Sequence, residues 1–542
     1  MRLLLTVLCL TLALPVLGVL GAWFAFDAAA WDVLAHQAQT VLPGYAAQSL
    51  VLALCVAAGV ALVGGGAAAA VALFEFPGRR VFEWALLLPM AMPAYVLAYV
   101  YTDTLQTSGT LQGALRDATG WQGALWPDMR SLPGAVVLFV LALYPYVYLL
   151  VRNALAERGM ALMEAARLLG AGLWRRIGAV ALPLARPALA AGVALALMET
   201  LADYGVGAYF GLTTLSTGIY RAWLVMNDPV AAAQLAALLL LLVALVLAAE
   251  RRARRQLRFA AQRPSAALEA RPVALRGHLA LLAWTLCALP VALGFVLPVL
   301  LLVRLVWREA LYGEGALSLA QLMRFAQWCW NSFSLAALAA LAAALLALAL
   351  TFALRLALAA GRPAWRTRAL RAGVRTVALG YAVPGTVIAV GILIPLGLLQ
   401  ARWPGLGATG WVTGTSLGLI YAYLVRFSAV ALQSLEAGYE RLSPSLDDSA
   451  RMLGASRARL LTEVHAPLLR RSVFAAALLV FVDVMKELPA TLVLRPFDRD
   501  TLAVMAYNLA RDERLAEAAL PSLAIVLVGL APVLLLVRAM RR

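Results

Sequence analysis

The sequence predicts an all-α polytopic membrane protein with twelve transmembrane helices arranged as two parallel six-helix repeats. Three observations lead to this fold class. Of the 542 residues, 63% are hydrophobic and only 13% are charged, whereas soluble domains are ~45–50% apolar. The apolar residues form stretches of roughly 20 residues, the length that a helix needs to cross ~30 Å of hydrocarbon. Finally, one loop pattern occurs twice, and its matching residues keep a constant spacing, which indicates an internal repeat.

Twelve apolar stretches qualify as membrane spans. Transmembrane barrels show alternating polar and apolar residues; these stretches do not, so each is predicted as a helix. The first stretch is longer than the ~7–15-residue apolar region of a signal peptide, and we expect it to remain as an uncleaved helix. The predicted spans cover 3–26, 46–73, 83–104, 133–151, 187–208, 229–249, 278–303, 332–354, 376–399, 413–435, 472–493 and 519–537.

The basic residues predict the orientation of these spans. With both termini inside, the inside segments carry 32 Lys and Arg residues and the outside loops carry 11. Such an excess marks the cytoplasmic side. The net charge of +17 is therefore explained by short loops at a lipid bilayer, and we expect no nucleic-acid partner because no aromatic-basic platform accompanies it.

A basic segment near the middle of the chain divides the sequence into two halves. Residues 1–250 carry spans one to six, and residues 278–542 carry spans seven to twelve. The segment 251–277 between them holds eight arginines and is predicted to be a cytoplasmic linker at the lipid surface.

The repeated pattern lies in the inside loops at about 152–187 and 437–471. A short amphipathic helix is expected to end at a left-handed glycine, which leaves Leu168 and Leu169 exposed as a docking surface for another protein. A helix lying in the lipid interface would explain one such loop but not two with the same glycine and proline. The matching residues are Glu164, Ala166, Gly170 and Pro183 in the first loop and Asp448, Ala450, Gly454 and Pro467 in the second.

This pattern of an acid, two alanines, a glycine and a proline resembles the coupling loop of ABC importer permeases, which contacts their ATPases. The second copy departs from it, with Asp448 and Ser449 in place of Glu and the first Ala. The resemblance covers the whole chain, which corresponds to two permease halves fused into one polypeptide. It implies a fold like that of type I ABC importers. The segments ALMETLADYGVGAYFG and VMKELPATLVLRPF look most like ferric-iron permeases, and the fused architecture also occurs in thiamine permeases.

The resemblance implies two ABC ATPase subunits on the cytoplasmic loops, a periplasmic substrate-binding protein and a bacterial inner-membrane location. It implies import of ferric iron by alternating access, with thiamine or a small anion such as phosphonate or sulfate as alternative cargoes. A major-facilitator-like secondary transporter also has twelve spans in two parallel halves, but it would not need the two glycine-turn loops.

The chain itself is not expected to be an enzyme or to bind a cofactor. A phosphate-binding loop needs a Gly-Lys-Ser/Thr sequence, and the single lysine, Lys486, lies between Met485 and Glu487 in an apolar span. ATP and magnesium are therefore expected on the partner subunits. No catalytic residues and no fixed metal site are predicted, and the three histidines, His465 among them, are interpreted as incidental because they lie far apart in the sequence.

Acidic residues inside the spans are the candidates for the substrate path, because intramembrane carboxylates are costly and usually functional. Residues four apart on a helix share a face, and each predicted pair has this spacing. Structural ion pairs with Lys486 or a nearby arginine are the alternative. The pairs are Glu199 with Asp203 and Asp483 with Glu487. Pro93 and Pro384, in the third and ninth spans, are predicted to kink helices that line a gate.

Overall fold

A computed structural model describes residues 2–24, 27–156, 160–255, 272–313, 318–359 and 364–540 of the chain. Within these ranges the protein is almost entirely helical, with one two-stranded parallel pairing. The predicted all-α membrane fold is confirmed. Residues 256–271 of the predicted linker lie outside the described ranges.

The helices and the strand up to residue 255 follow one another with short connections. They are α1 (Arg2–Ala22), α2 (Ala28–Gln39), α3 (Leu42–Leu73), β1 (Phe74–Glu75), α4 (Arg79–Ala85), α5 (Ala94–Leu105), α6 (Thr110–Thr119), α7 (Leu132–Ala154), α8 (Met160–Leu168), α9 (Leu173–Arg176), α10 (Leu182–Ala202), α11 (Gly205–Tyr209), α12 (Leu215–Tyr220) and α13 (Pro229–Arg255).

The elements from residue 272 onward repeat much of this order. They are β2 (Val273–Ala274), α14 (His278–Val291), α15 (Leu297–Tyr312), α16 (Leu319–Ala359), α17 (Ala364–Ala378), α18 (Gly385–Arg402), α19 (Ala408–Thr413), α20 (Ser416–Glu440), α21 (Pro444–Met452), α22 (Arg457–Arg459), α23 (Ala466–Met485), α24 (Pro489–Leu494), α25 (Leu502–Arg511) and α26 (Leu515–Met540).

The internal repeat is visible in the element boundaries. Helices α8, α10 and α11 begin before α21, α23 and α24 by one constant spacing, which is the spacing between Gly170 and Gly454. A short π-helical segment precedes α10 at Ile177–Ala181 and α23 at Leu460–His465. Local bonds repeat as well, since Ser49 Oγ accepts from Leu215 N at 2.9 Å and Ser332 Oγ accepts from Leu502 N at 2.8 Å.

The chain packs as two compact units. The first comprises Met1–Ala35, Ile219–Ala237 and Ser318–Met505, and the second comprises His36–Gly218, Leu238–Leu317 and Ala506–Arg542. Each unit thus takes residues from both sides of the predicted linker at 251–277. The compact units therefore do not coincide with the predicted halves, 1–250 and 278–542. Those halves describe the sequence repeat, and their boundaries stay a prediction.

Each unit is built around three long helices. In the first unit α16, α20 and α23 pack against one another, and α1 lies along α18. In the second unit α3, α7 and α10 pack in the same combination, and α15 lies along α26. In long apolar helices of this kind every interior backbone hydrogen bond is made within the helix, which is required where no water is available inside a membrane.

Nine helices within the described ranges are long and apolar enough to cross a membrane, and a bent pair makes up to ten. Two predicted spans fall short of that test: Val7–Ala22 in α1 is a shorter apolar helix, and α23 contains Arg470, Arg471 and Asp483. The count of twelve spans therefore stays a prediction.

Four predicted spans are interrupted. The span 83–104 is wrong as a continuous helix, because Arg79–Ala91 and Ala94–Thr119 meet at 90°. A proline stands immediately before α5 and immediately before α18. A proline ring cannot continue a preceding helix, which explains why the chain breaks at these two points. The other interrupted spans are 187–208, 376–399 and 472–493, which break after α10, α17 and α23.

Candidate functional site

The first repeated loop forms a helix that ends in a tight turn. Gly170 has φ of 80°, the left-handed conformation that glycine adopts at low cost. Its amide donates to Arg167 O at 2.9 Å, and the Ala171 amide donates to Ala166 O at 3.0 Å. These two bonds are those of a Schellman cap. The turn leaves Leu168 and Leu169 with 81% and 88% of their surface exposed.

The second loop repeats the same geometry at the matching positions. Gly454 has φ of 81°, its amide donates to Arg451 O at 2.9 Å, and the Ala455 amide donates to Ala450 O at 3.0 Å. Met452 and Leu453 are 88% and 87% exposed. Each loop therefore exposes two large apolar side chains. Exposed apolar surface of this kind is typical of a site that binds a partner.

The acids and prolines of the pattern support this shape. Glu164 pairs with Arg167 at 3.6 Å and Asp448 pairs with Arg451 at 3.3 Å, each within one turn of its own helix. The prolines of the pattern, Pro183 and Pro467, lie in the first turn of α10 and α23. Each proline closely follows the π-helical segment that leads into its helix, a backbone irregularity of the kind that accompanies a proline within a continuous helix. In the second loop, the substitution of Asp for Glu leaves the pairing with arginine in place.

The predicted shared helix face of the membrane acids is wrong. Helix α10 ends at Ala202, and Asp203 follows it with extended backbone. The Asp203 carboxylate instead accepts hydrogen bonds from Val206 N at 2.9 Å and Gly207 N at 3.4 Å. It therefore caps the short helix α11, an interaction that competes with continuing α10.

The acid at the corresponding place in the other repeat also caps a short helix. Glu487 accepts from Ala490 N at 2.9 Å and from Thr491 N at 3.0 Å at the start of α24. It also pairs with Arg426 on α20 at 3.4 Å, and the side chains are 2% and 8% exposed. This buried pair matches the structural alternative that the sequence left open.

The remaining two acids differ in their surroundings. Asp483 pairs with Lys486 at 3.0 Å, with 18% and 28% of the side chains exposed. Glu199 lies half-buried on the last turn of α10. The four acids therefore occupy equivalent positions along the repeat, and those of the second repeat pair with basic side chains.

Pro93 and Pro384 each stand immediately before a helix. Pro93 precedes α5 at the 90° bend, and Pro384 precedes α18. Gly385 after Pro384 permits a close approach: a Cβ atom there would lie 2.8 Å from Glu487 Oε1 and 2.9 Å from Arg426 Nη1. The start of α18 thus packs directly against the buried ion pair, while the role of the prolines in a gate stays a prediction.

Sequence reasoning missed a buried polar cluster beside the second loop. His465, interpreted from sequence as incidental, is 1% exposed and lies 3.0 Å from Asp447. Asp447 also pairs with Arg355 at 2.8 Å, and His465 Nδ1 lies 3.2 Å from the Tyr439 hydroxyl. Arg355, Tyr439 and Asp447 lie on α16, α20 and α21, and His465 ends the π-helical segment before α23, so no local sequence pattern predicts that they meet.

Comparison with known proteins identifies the family. Residues 61–258 match the family of binding-protein-dependent transport system inner membrane components. The chain is 24% identical over 494 residues to the Fe(3+)-transport system permease protein FbpB 2 of Haemophilus influenzae, covering 90% of this chain and 88% of that relative. This chain is an ABC importer permease of the fused two-half type. The major-facilitator alternative is thereby excluded.

Other relatives match shorter parts of the permease. A Salmonella paratyphi A protein named for 2-aminoethylphosphonate transport is 27% identical over 191 residues, which cover 35% of the permease and 66% of that relative. The molybdenum transport system permease protein ModB of Escherichia coli is 32% identical over 130 residues, covering 24% of the permease and 55% of ModB. The permease is therefore a multi-pass transport subunit with relatives named for several cargoes.

Proposed function

We propose that this permease moves ferric iron from a periplasmic binding protein across the bacterial inner membrane by alternating access. The observation that carries the proposal is the length of the match to the Fe(3+) permease, which spans 90% of the chain and therefore both repeats. The relatives named for phosphonate and molybdenum transport match over 35% and 24% of the chain.

The repeated loops dock two ABC ATPase subunits, one on each loop. This assignment is supported by the exposed pairs Leu168–Leu169 and Met452–Leu453, which present the same apolar surface twice. ATP and magnesium are proposed to bind to these partners, because the single lysine of this chain, Lys486, lies between Met485 and Glu487 and so does not form a Gly-Lys-Ser/Thr loop. The excess of basic residues in the same segments supports a cytoplasmic position for the loops and both termini.

The membrane acids guide the cargo. Ferric iron is a hard cation that favours oxygen ligands, and weak binding along a path lets an ion leave as well as enter. Asp203 borders a cavity of about 10 Å³, a space of about one water molecule. Its lining combines the hydroxyl side chains Ser49, Thr200, Thr214 and Ser216 with the apolar side chains Leu52, Phe139 and Leu201. Glu199, Asp483 and Glu487 occupy the equivalent stretches of the repeat.

A small anion is the second candidate cargo. It is supported by the relatives named for 2-aminoethylphosphonate and molybdenum transport. A cavity of about 580 Å³ beside α5, α15 and the start of α26 does not separate the two cargoes, because its three arginines lie among four acids and Arg514 pairs with Glu517.

A transport assay with the complete complex decides between these cargoes. The permease is reconstituted in liposomes with its ATPase subunits and binding protein, and ATP-dependent uptake of ferric iron is compared with that of 2-aminoethylphosphonate, sulfate, molybdate and thiamine. We expect uptake and stimulated ATP hydrolysis with ferric iron. Uptake of another cargo with none of iron would overturn the iron assignment and leave the importer assignment standing.

A further inference from the structure

We infer that Asp447 is a positioning residue that ties the second coupling loop to two membrane helices, so that the two coupling loops transmit ATPase movement through different contacts. The inference rests on the proposed docking of ATPases on these loops. It concerns only the first compact unit, in which Asp447, Arg355, His465 and Tyr439 all lie. We call these four residues the latch.

The first arm of the latch connects the loop to α16. Arg355 donates from Nε to Asp447 Oδ2 at 2.8 Å and from Nη2 to Asp447 Oδ1 at 2.9 Å. The same guanidinium donates to the carbonyls of Leu442 at 3.1 Å and Ser443 at 2.9 Å, just before α21. A planar guanidinium that donates to this many acceptors fixes both the distance of α21 from α16 and the rotation of α21.

The second arm connects the loop to α20 and to the start of α23. His465 Nε2 lies 3.0 Å from Asp447 Oδ1, and Nδ1 lies 3.2 Å from the Tyr439 hydroxyl. The imidazole also meets the ring of Phe352 edge-on at 5.3 Å. With Asp447 and His465 only 3% and 1% exposed, water is not available to replace these bonds, so the arm is rigid.

The first coupling loop has apolar residues wherever the second has the latch. At the spacing that relates Gly454 to Gly170, Tyr439, Asp447 and His465 correspond to Leu155, Met163 and Ala181, all at most 5% exposed. At the spacing that relates Ser332 to Ser49, Arg355 corresponds to Ala72, which is 5% exposed. Apolar packing holds helices together but is not directional, so it tolerates sliding that the latch forbids.

The latch is better explained by transmission than by stability. Replacing a buried ion pair with apolar residues is often neutral or stabilising, and the first repeat shows an apolar solution at the same positions. What the polar solution adds is a fixed geometry between the exposed Met452–Leu453 pair and helices α16 and α20. A pull on the docked surface of the second loop is thereby passed to two membrane helices.

Cross-linking in the complete transporter tests this inference. Single cysteines replace Leu169 or Leu453 in a chain lacking the four native cysteines, and each is paired with a cysteine in the docking groove of the ATPase. In Asp447→Asn we expect cross-linking at position 453 to fall by about tenfold, because the Arg355 guanidinium loses its carboxylate partner and no longer fixes the position of α21, while position 169 is unchanged. The ratio of stimulated to basal ATP hydrolysis should fall as well.

Three further variants separate positioning from folding. His465→Gln keeps an amide that can bond Asp447 and should retain cross-linking at position 453, whereas His465→Leu should lose it. Met163→Leu, the matched substitution in the first loop, should leave both positions unchanged. Unchanged cross-linking at position 453 in Asp447→Asn and His465→Leu, or equal losses at both positions, overturns the latch. No cross-linking at either position in the chain without these substitutions overturns the docking assignment itself.

Discussion

Gly170 and Gly454, at matching positions of the two repeats, adopt the same left-handed conformation, with φ of 80° and 81°. Apart from the residues next to each glycine in the chain, no described atom lies within 4 Å of a Cβ built at either glycine, so lack of space does not explain why glycine is present. The backbone conformation does. The two loops therefore depend on glycine to aim the exposed side chains that precede it, Leu168–Leu169 and Met452–Leu453.

Replacing Gly170 with valine should disturb the docking surface without disturbing the membrane fold. A left-handed residue with a side chain costs about 1–2 kcal/mol, and a β-branched residue is the least tolerant of it. We expect normal insertion and assembly, with stimulated ATP hydrolysis and uptake reduced severalfold. Gly454→Val should act in the same direction. The measurements are complex yield and substrate-stimulated hydrolysis of the purified transporter.

Gly172 supplies the control for this substitution. A Cβ built there also has no described atom within 4 Å, but Gly172 does not belong to the described glycines with positive φ. Gly172→Val should therefore be close to neutral for hydrolysis. If Gly170→Val kept full stimulation, or if Gly172→Val lost as much, the left-handed turn would not be what aims the loop.

The loops were predictable from sequence because their information is local. A glycine, an alanine and a proline at fixed spacing determine a capped helix, and the spacing occurs twice. The partners of Asp447 and Glu487 were not predictable in this way. Arg355 precedes Asp447 by 92 residues, and Arg426 precedes Glu487 by 61, so only the packing of α16, α20 and α23 brings them together.

The helix breaks show a second reason why part of the structure was not predictable from the sequence. Hydropathy averages over a window, and the segments around Pro93, Asp203 and Glu487 are predominantly apolar. At Pro93 the proline ring itself interrupts the helix. The carboxylates of Asp203 and Glu487 each bond two backbone amides of the following helix, which offers the chain an alternative to a continuous helix. Hydropathy does not register this competition, so it predicted the spans as unbroken.

The latch should make the protein less stable as the pH falls into the acid range. Burial raises the pKa of the Asp447 carboxyl, but hydrogen bonds from Arg355 and His465 outweigh it and hold the pKa below its ordinary value. A carboxyl with a depressed folded pKa stabilises the protein above its unfolded pKa of about 3.9, and this contribution is lost as the pH falls through the folded pKa.

Thermal melts of the purified permease test this dependence. We expect the difference in melting temperature between the unsubstituted chain and Asp447→Asn to be constant from neutral pH down to about pH 4, near the unfolded pKa, and to shrink below it. Asp448→Asn is the control, because Asp448 is exposed and pairs within α21. A difference that shrinks between about pH 8 and about pH 6, well above that unfolded pKa, would show that another group governs it.

The proposed orientation can be tested by labelling from each side of the membrane. A cysteine replacing the exposed Arg252 should react with an impermeant reagent only from the cytoplasmic side. A cysteine replacing Trp121, which is 60% exposed next to Gly120, should react only from the periplasmic side. The excess of inside arginines is the physical reason. Labelling of both positions from one side would overturn this topology.

The last prediction separates the two repeats by neutralising their acids. Glu199→Gln with Asp203→Asn should abolish iron uptake while the complex assembles with nearly unchanged thermal stability, since neutral side chains still accept the bonds that cap α11. Asp483→Asn with Glu487→Gln should abolish uptake and also destabilise the protein, because Arg426 loses its buried partner, a change that typically costs about 3–5 kcal/mol.

A compensating substitution distinguishes packing from transport in the second repeat. Arg426→Met in the Glu487→Gln background removes the unpaired charge, and it should restore thermal stability because an apolar residue of similar volume suits a buried site. Uptake should stay absent if the carboxylate guides the cargo. If uptake returned together with stability, Glu487 would be structural only. Likewise, normal iron uptake by a stable, assembled Glu199→Gln, Asp203→Asn permease would remove the first pair from the path, leaving Asp203 as the cap of α11.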